Sequence, residues 1–293
     1  MQLLVSGKKG FSPFLKRLSQ RGEAGFHKVE GAVRKILDQV KGGGDAALFR
    51  LTKRYDSWTP SPKTLKVSPR EIQRALKTLS REGIKALESA AERIERFHTL
   101  QIQKSWSFAE EDGTILGQIV RPMNRVGIYV PGGKASYPSS VLMNTIPAKV
   151  AGVREIIMAC PAPKGYVSPP VLAAARIAGV DEIFKIGGAQ AIGAMAYGTQ
   201  TIPKVDKIVG PGNIYVSTAK RMVFGEVSID SIAGPSEILI ISDGSGDPSF
   251  IAADLLSQAE HDEQAAAILL CTSRDFAREV HKEVSAHLNC LHE

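Results

Sequence analysis

Apolar residues recur at helical spacing from Val29, where Val29, Val33, Ile36, Leu37 and Val40 fall on one face. Gly42-Gly43-Gly44-Asp45 interrupts that face, and a second helix is expected from Ala46. Ser68-Pro69-Arg70-Glu71 combines an N-cap serine, a proline at the first helical position and a glutamate three residues after the cap. It predicts a well-defined helix start, with the charged stretch behind it helical to about Leu100. Residues 1–25 show Gly and Ser punctuation without a sustained period and read as a lead-in.

From Ile115 the pattern changes to short apolar runs, most closed by a Gly or Pro loop. Val126 to Val130 leads into Pro131-Gly132-Gly133, Ile156 to Cys160 into Pro161, Ile183 to Ile186 into Gly187-Gly188, and Lys207 to Val209 into Gly210-Pro211-Gly212. Four strand–loop–helix units in succession imply an α/β fold with a parallel sheet covered by helices on both faces. A ligand site is expected at the C-terminal ends of the strands. After Ala233-Gly234-Pro235-Ser236-Glu237 come a strand Ile238–Ile241, a helix from about Pro248, a strand Ala266–Cys271 and a helix from about Arg274. The division expected is a lead-in (1–25), a discontinuous domain (26–127 plus 238–293) and a domain inserted into it (128–237).

With 293 residues, 43 % of them apolar, the chain has enough material for a substantial core. Cys160, Cys271 and Cys290 form no C-x-x-C and no paired framework, which fits a reducing compartment and a cytoplasmic location. The opening Met1-Gln2-Leu3-Leu4-Val5-Ser6 is too short an apolar run for a signal peptide, and no stretch has the length of a membrane span. The net charge of +7 is uneven: residues 1–150 hold 26 Lys/Arg against 13 Asp/Glu, and residues 151–293 hold 11 against 17. The basic half lacks aromatic interleaving and zinc-finger spacing, so its charge reads as solvated helix surface rather than a nucleic-acid footprint.

Two loops offer bare backbone ahead of a helix: Gly187 to Gly193, and Gly210-Pro211-Gly212-Asn213. Backbone N–H groups and the helix dipole favour an anion such as a pyrophosphate there, although tight turns need glycine in any case. Neither loop fits Gly-x-Gly-x-x-Gly. Tyr129, at a strand end, is placed either to pack in the core or to stack on a nicotinamide or adenine ring. Gln190 and Asn213 lie at helix starts, as caps or as ligand contacts. Ser236 is flanked by Pro235 and Glu237, where a nucleophile elbow needs glycines, so a hydrolase is disfavoured. Cys160 reads as a buried thiol. Gln258 and His261, three apart near a helix end, can reach one metal ion, and two ligands are half a site.

Taken together, Gly42 to Leu48, Arg125 to Gly133, Tyr137 to Asn144, Gly187 to Gly193, Gly210 to Asn213, Ala233 to Glu237 and Leu255 to His261 give the chain a resemblance to histidinol dehydrogenase, from about Val29 to its end. The resemblance implies two incomplete Rossmann-like domains with parallel sheets, the second inserted into the first, preceded by N-terminal helices. It implies NAD-dependent, zinc-dependent oxidation of L-histidinol through histidinal to L-histidine in a homodimer. Tyr129, Gln190 and Asn213 match the family's NAD-contacting positions. Ser236, Gln258 and His261 match substrate-contacting positions, and Gln258 and His261 match two of its four zinc ligands.

The family continues beyond this length, and that continuation carries its Glu-His acid–base pair, an aspartate zinc ligand and a last histidine ligand. None of the catalytic pair has a counterpart within these residues. The expectation is an N-terminal fragment with little or no activity, prone to poor solubility because Val280, Val284 and Leu288 are left exposed on its last helix. Alternatives are a short NAD-binding relative without chemistry, separable by NAD binding without turnover, and a dehydrogenase of another amino alcohol or a sulfonated alcohol, separable by substrate profiling.

Overall fold

A computed structural model describes residues 2–19, 21–132, 136–232, 237–260 and 265–290, with backbone alone for 21–25. Packing divides the chain into two compact units, Met1–Phe26 with Ala233–Glu293 and His27–Ile232. The lead-in contains a helix that the sequence reading does not anticipate, α1 (Phe11–Ser19). Phe11, Phe14, Leu15 and Leu18 give it a short amphipathic stripe, but none of its residues is buried. Helix α2 (Arg21–Asp56) bends at Gly44 (φ 50°, ψ −135°), so the glycine run kinks this element and does not end it. Val33, Ile36, Leu37 and Val40 are buried as their spacing predicts, and Leu48 and Leu51 beyond the kink join the same core.

A short turn of helix, α3 (Pro62–Leu65), precedes α4 (Pro69–Thr78). The capping box at the start of α4 is complete: Ser68 Oγ accepts from the Glu71 N–H at 3.3 Å, and Glu71 Oε2 accepts from the Ser68 N–H at 2.8 Å. The long helix expected from there to Leu100 is instead two. Ser80 starts α5 (Arg81–Thr99) by accepting from the Gly83 N–H at 3.0 Å, a second serine cap inside what reads as one charged run. A hairpin of β1 (Trp106–Ala109) and β2 (Ile115–Gln118) follows, exposed along both strands.

The rest of this unit runs β3 (Arg125–Tyr129), α6 (Pro138–Val150), β4 (Glu155–Ala159), α7 (Pro169–Ala178), β5 (Glu182–Phe184), α8 (Gly188–Tyr197), β6 (Lys207–Val209), α9 (Ile214–Val223) and β7 (Ser228–Ile229). The strands form one parallel sheet in the order β5-β4-β3-β6-β7. Side chains alternate across a strand, and here the alternation feeds two cores. Val126, Ile128, Ile156, Met158 and Ile183 pack with α4, α6 and α7 on one face, while Tyr129, Ile157, Ala159 and Phe184 pack with α2, α8 and α9 on the other. Each fully buried large side chain stabilises the fold by about 1.5–3 kcal/mol. Gly127 is glycine because of this sandwiching: a Cβ there would fall 2.7 Å from Met195 Sδ.

The other unit contains β8 (Glu237–Ser242), α10 (Pro248–Ala259), β9 (Ala266–Cys271) and α11 (Arg274–Cys290), with β8 and β9 parallel. Leu255, Phe276 and Val280 form its small core, with Ile238, Ile240, Leu269 and Val284 against it. The exposed helix face expected at Val280 and Val284 is therefore covered, and only Leu288 of that trio is exposed. Leu239, Ile241 and Leu270 are exposed, because the two helices cover one face of the two-stranded sheet and alternation sends these three side chains to the other.

The observed units differ from the expected division. The boundary expected at 127/128 lies inside β3, and residues 27–127 group with the five-stranded sheet because the apolar face of α2 supplies one of its two cores.

Candidate functional site

Beyond the C-terminal ends of β3, β4, β5 and β6 lies a cavity of about 550 Å³, the size range of small-molecule sites. The chain builds β3, moves out through β4 and β5, then returns to place β6 on the other side of β3, and such a reversal opens a crevice at the strand ends. Tyr129, Pro131 and Gly132 reach the cavity from the end of β3, and Pro161 from the end of β4. Gly188, Ala189 and Gln190 enter from the start of α8, Asn213 and Tyr215 from the start of α9, and Tyr55 and Asp56 from the end of α2.

The three residues expected to contact NAD all line this one cavity. Tyr129 is buried, and its hydroxyl accepts the Gly188 N–H at 3.0 Å, satisfying one of the free donors that open α8. Burial pushes its ionisation well above the usual phenol range. Asn213 caps α9, with Oδ1 accepting from the N–H groups of Tyr215 at 3.1 Å and Val216 at 3.2 Å. The cap leaves its amide NH₂ for a ligand. Gln190, 2 % exposed, lines the cavity from the first turn of α8.

The glycine turn before α9 is held from two sides. Asp230 Oδ2 accepts from the Gly210 N–H at 2.8 Å, and Lys220, 2 % exposed, donates to the Gly210 carbonyl at 3.0 Å and pairs with Asp230. Gly210 itself has φ +111°, and a Cβ on it would fall 2.1 Å from the Tyr129 carbonyl oxygen. Only glycine fits this approach of the turn to β3.

Sequence reasoning alone does not single out Asp56. Its Oδ2 is buried without a hydrogen-bond partner among the described residues, and burial raises its pKa from 3.8 to about 6. Burial also raises the Cys160 thiol to about 12, so the buried, inert reading of that cysteine holds.

Of the residues expected to hold metal and substrate, Ser236 and His261 lie outside the described residues. Gln258, near the end of α10, has its amide nitrogen buried without a partner among the described residues. Among the described residues no group of three His, Cys, Asp or Glu side chains is placed to hold a metal ion.

Residues 19–293 match the family model described as histidinol dehydrogenase. The chain belongs to the histidinol dehydrogenase family. It is 56 % identical over 291 residues to the histidinol dehydrogenase of Syntrophotalea carbinolica, covering 99 % of this chain and 68 % of that protein. The Geobacter sulfurreducens histidinol dehydrogenase is 56 % identical over 289 residues, covering 98 % and 67 %. The crystal structure of the Elizabethkingia anophelis histidinol dehydrogenase superposes with a TM-score of 0.83 at 40 % identity, covering 90 % of this chain and 61 % of that one. The chain thus spans about two thirds of the length of these histidinol dehydrogenases. The α/β architecture with parallel sheets is shared with the solved relative, and no described helix is long and apolar enough to cross a membrane.

Proposed function

We propose that this chain supplies the NAD-binding part of an enzyme that oxidises L-histidinol through histidinal to L-histidine. The observation that carries the reading is the meeting of Tyr129, Gln190 and Asn213 in one cavity at the strand ends, flanked by two helix N-termini. A dinucleotide fits that chemistry. The dipoles of α8 and α9 favour a pyrophosphate, the Asn213 amide and the Gln190 side chain offer hydrogen bonds, and the apolar Pro131, Pro161 and Tyr129 surfaces pack on flat rings.

Bound NAD would supply the hydride acceptor. The protein's part within these residues is orientation: the Lys220–Asp230 pair fixes the Gly210 turn, and Tyr129 fixes the start of α8 through Gly188. In the same reading Ser236, Gln258 and His261 contact L-histidinol, Gln258 and His261 are two ligands of a zinc ion, and the working enzyme is a cytoplasmic homodimer. That the two units are incomplete Rossmann-like domains is proposed from the same resemblance. By resemblance, no residue within this chain matches the family's proton acceptor for the carbinol hydroxyl.

The test is NAD titration of the 293-residue chain followed by its intrinsic fluorescence, since Trp58 is one of only two tryptophans. Saturable binding that Gln190→Ala weakens supports the reading, and no saturable signal up to millimolar NAD overturns it.

A further inference from the structure

Asp56 is placed where a carboxylate is costly. It is the last residue of α2, at the negative end of the helix dipole, and it is followed by Ser57 in a left-handed conformation (φ +51°). Its Oδ2 is buried without a partner among the described residues, and the residue lines the cavity that holds Tyr129, Gln190 and Asn213. No described side chain compensates it, and its charge is close enough to Tyr129 and Cys160 to raise both ionisations. With a pKa of about 6 it is an anion at neutral pH, with one acceptor oxygen left unpaired among the described residues.

A second observation says what it accepts. In parallel-sheet nucleotide sites the pyrophosphate lies at a helix N-terminus, and an acidic residue near the end of the neighbouring strand takes the adenosine ribose hydroxyls. Here α8 follows β5, and the strand beside β5 is β4, which ends Ala159-Cys160-Pro161, with no acid. Asp56 comes from α2 and lines the same cavity as Pro161 at the end of β4, so it supplies there the acid that the strand lacks.

We propose that Asp56 is the cofactor-specificity residue of this site, accepting hydrogen bonds from the vicinal hydroxyls of the adenosine ribose of NAD and repelling the 2′-phosphate of NADP. The proposal rests on the NAD reading above. A carboxylate with a free acceptor oxygen gains from a hydroxyl donor, while a phosphate dianion in the same place meets a like charge in a partly desolvated site. Asp56→Asn preserves the shape, removes the charge and relieves a buried anion, so the variant is expected to fold.

The experiment compares the 293-residue chain with its Asp56→Asn variant, titrating NAD and NADP in parallel by calorimetry, with far-UV circular dichroism and a thermal melt as checks of folding. Expected is a loss of NAD affinity of about ten- to a hundredfold, the range of a hydrogen bond to a charged group, with NADP affinity unchanged or improved so that the preference for NAD collapses. If the variant binds NAD as the parent does, or if both cofactors weaken by the same factor, the assignment of Asp56 is overturned and the NAD reading stands. If the parent binds no NAD, both fall together.

Discussion

Replacing Asp56 by asparagine should make the protein more stable at neutral pH, and the size of the gain follows from its surroundings. Burial raises the Asp56 pKa from 3.8 to about 6 in the folded chain. At about 1.36 kcal/mol per unit the shift amounts to about 3 kcal/mol at most, and because the residue is only partly buried, solvent screening reduces it to about 1–2 kcal/mol. The sign follows from proton uptake. Below pH 3.8 both states are protonated and nothing is lost. Between 3.8 and about 6 the folded state holds more protons than the unfolded one, so Asp56 lowers stability as the pH rises through this window. Above it the loss is complete. Tyr129 and Cys160, the titratable groups it acts on, are both neutral throughout this range. Urea denaturation of parent and variant at about pH 4 and about pH 7.5 isolates the effect, because every other carboxylate cancels in the difference. The variant should exceed the parent by about 1–2 kcal/mol at the higher pH and by a few tenths at the lower. Saturating NAD should narrow the gap, since ligand that prefers the parent stabilises it more. An equal gap at both pH values, or a parent more stable than the variant at pH 7.5 without NAD, would refute the argument that an uncompensated buried anion is present.

Lys220→Met should lower stability by about 1.5–3 kcal/mol, the range of a hydrogen bond to a charged group, because the Asp230 left behind is exposed to solvent, and a melt shows it directly; an unchanged melting temperature would mean the clamp on Gly210 carries no energy. Gly210→Ala should abolish NAD binding even where the chain still folds, because the Tyr129 carbonyl occupies the new methyl's position; NAD affinity retained by this variant would contradict the geometry. Ile241→Lys, on the uncovered face of β8, should reduce self-association in size-exclusion chromatography without lowering the melting temperature, whereas a destabilised variant would show that face to be packed. The resemblance matches no acid–base pair within these residues, so the 293-residue chain mixed with L-histidinol, NAD and zinc should give little or no NADH, a general base typically contributing about 10²- to 10⁴-fold; robust turnover would place the acid–base chemistry within these residues.

Much of the fold is legible in the sequence because local chemistry and tertiary demand agree. The Ser68–Glu71 box starts a helix in any context, the α2 face is a plain helical period, and the Gly-rich loops after the strands mark the parallel sheet. What stays hidden depends on partners distant in sequence. Lys220 looks like a surface charge on a helix until Asp230 and the Gly210 carbonyl bury it. Asp56 is an ordinary acid at a helix end until packing brings it to the cavity of Tyr129. Ser80 reads as part of one charged helix because periodicity on both sides is helical, although its side chain starts a new one. Val280 reads as bare because the helix pattern does not say that Phe276 and Leu255 meet it. Tyr129, Gln190 and Asn213 are named by resemblance, and their convergence needs the strand order β5-β4-β3-β6-β7, which no local pattern encodes.

The clamp on Gly210 has a practical corollary for anyone redesigning cofactor choice. Gly210, Lys220 and Asp230 set the path of the main chain, so a library that varies them samples mostly misfolded clones. Tyr55, Asp56 and Tyr215 border the same cavity without anchoring that turn, and they are the positions at which a new nucleotide preference can be selected while the scaffold stays constant.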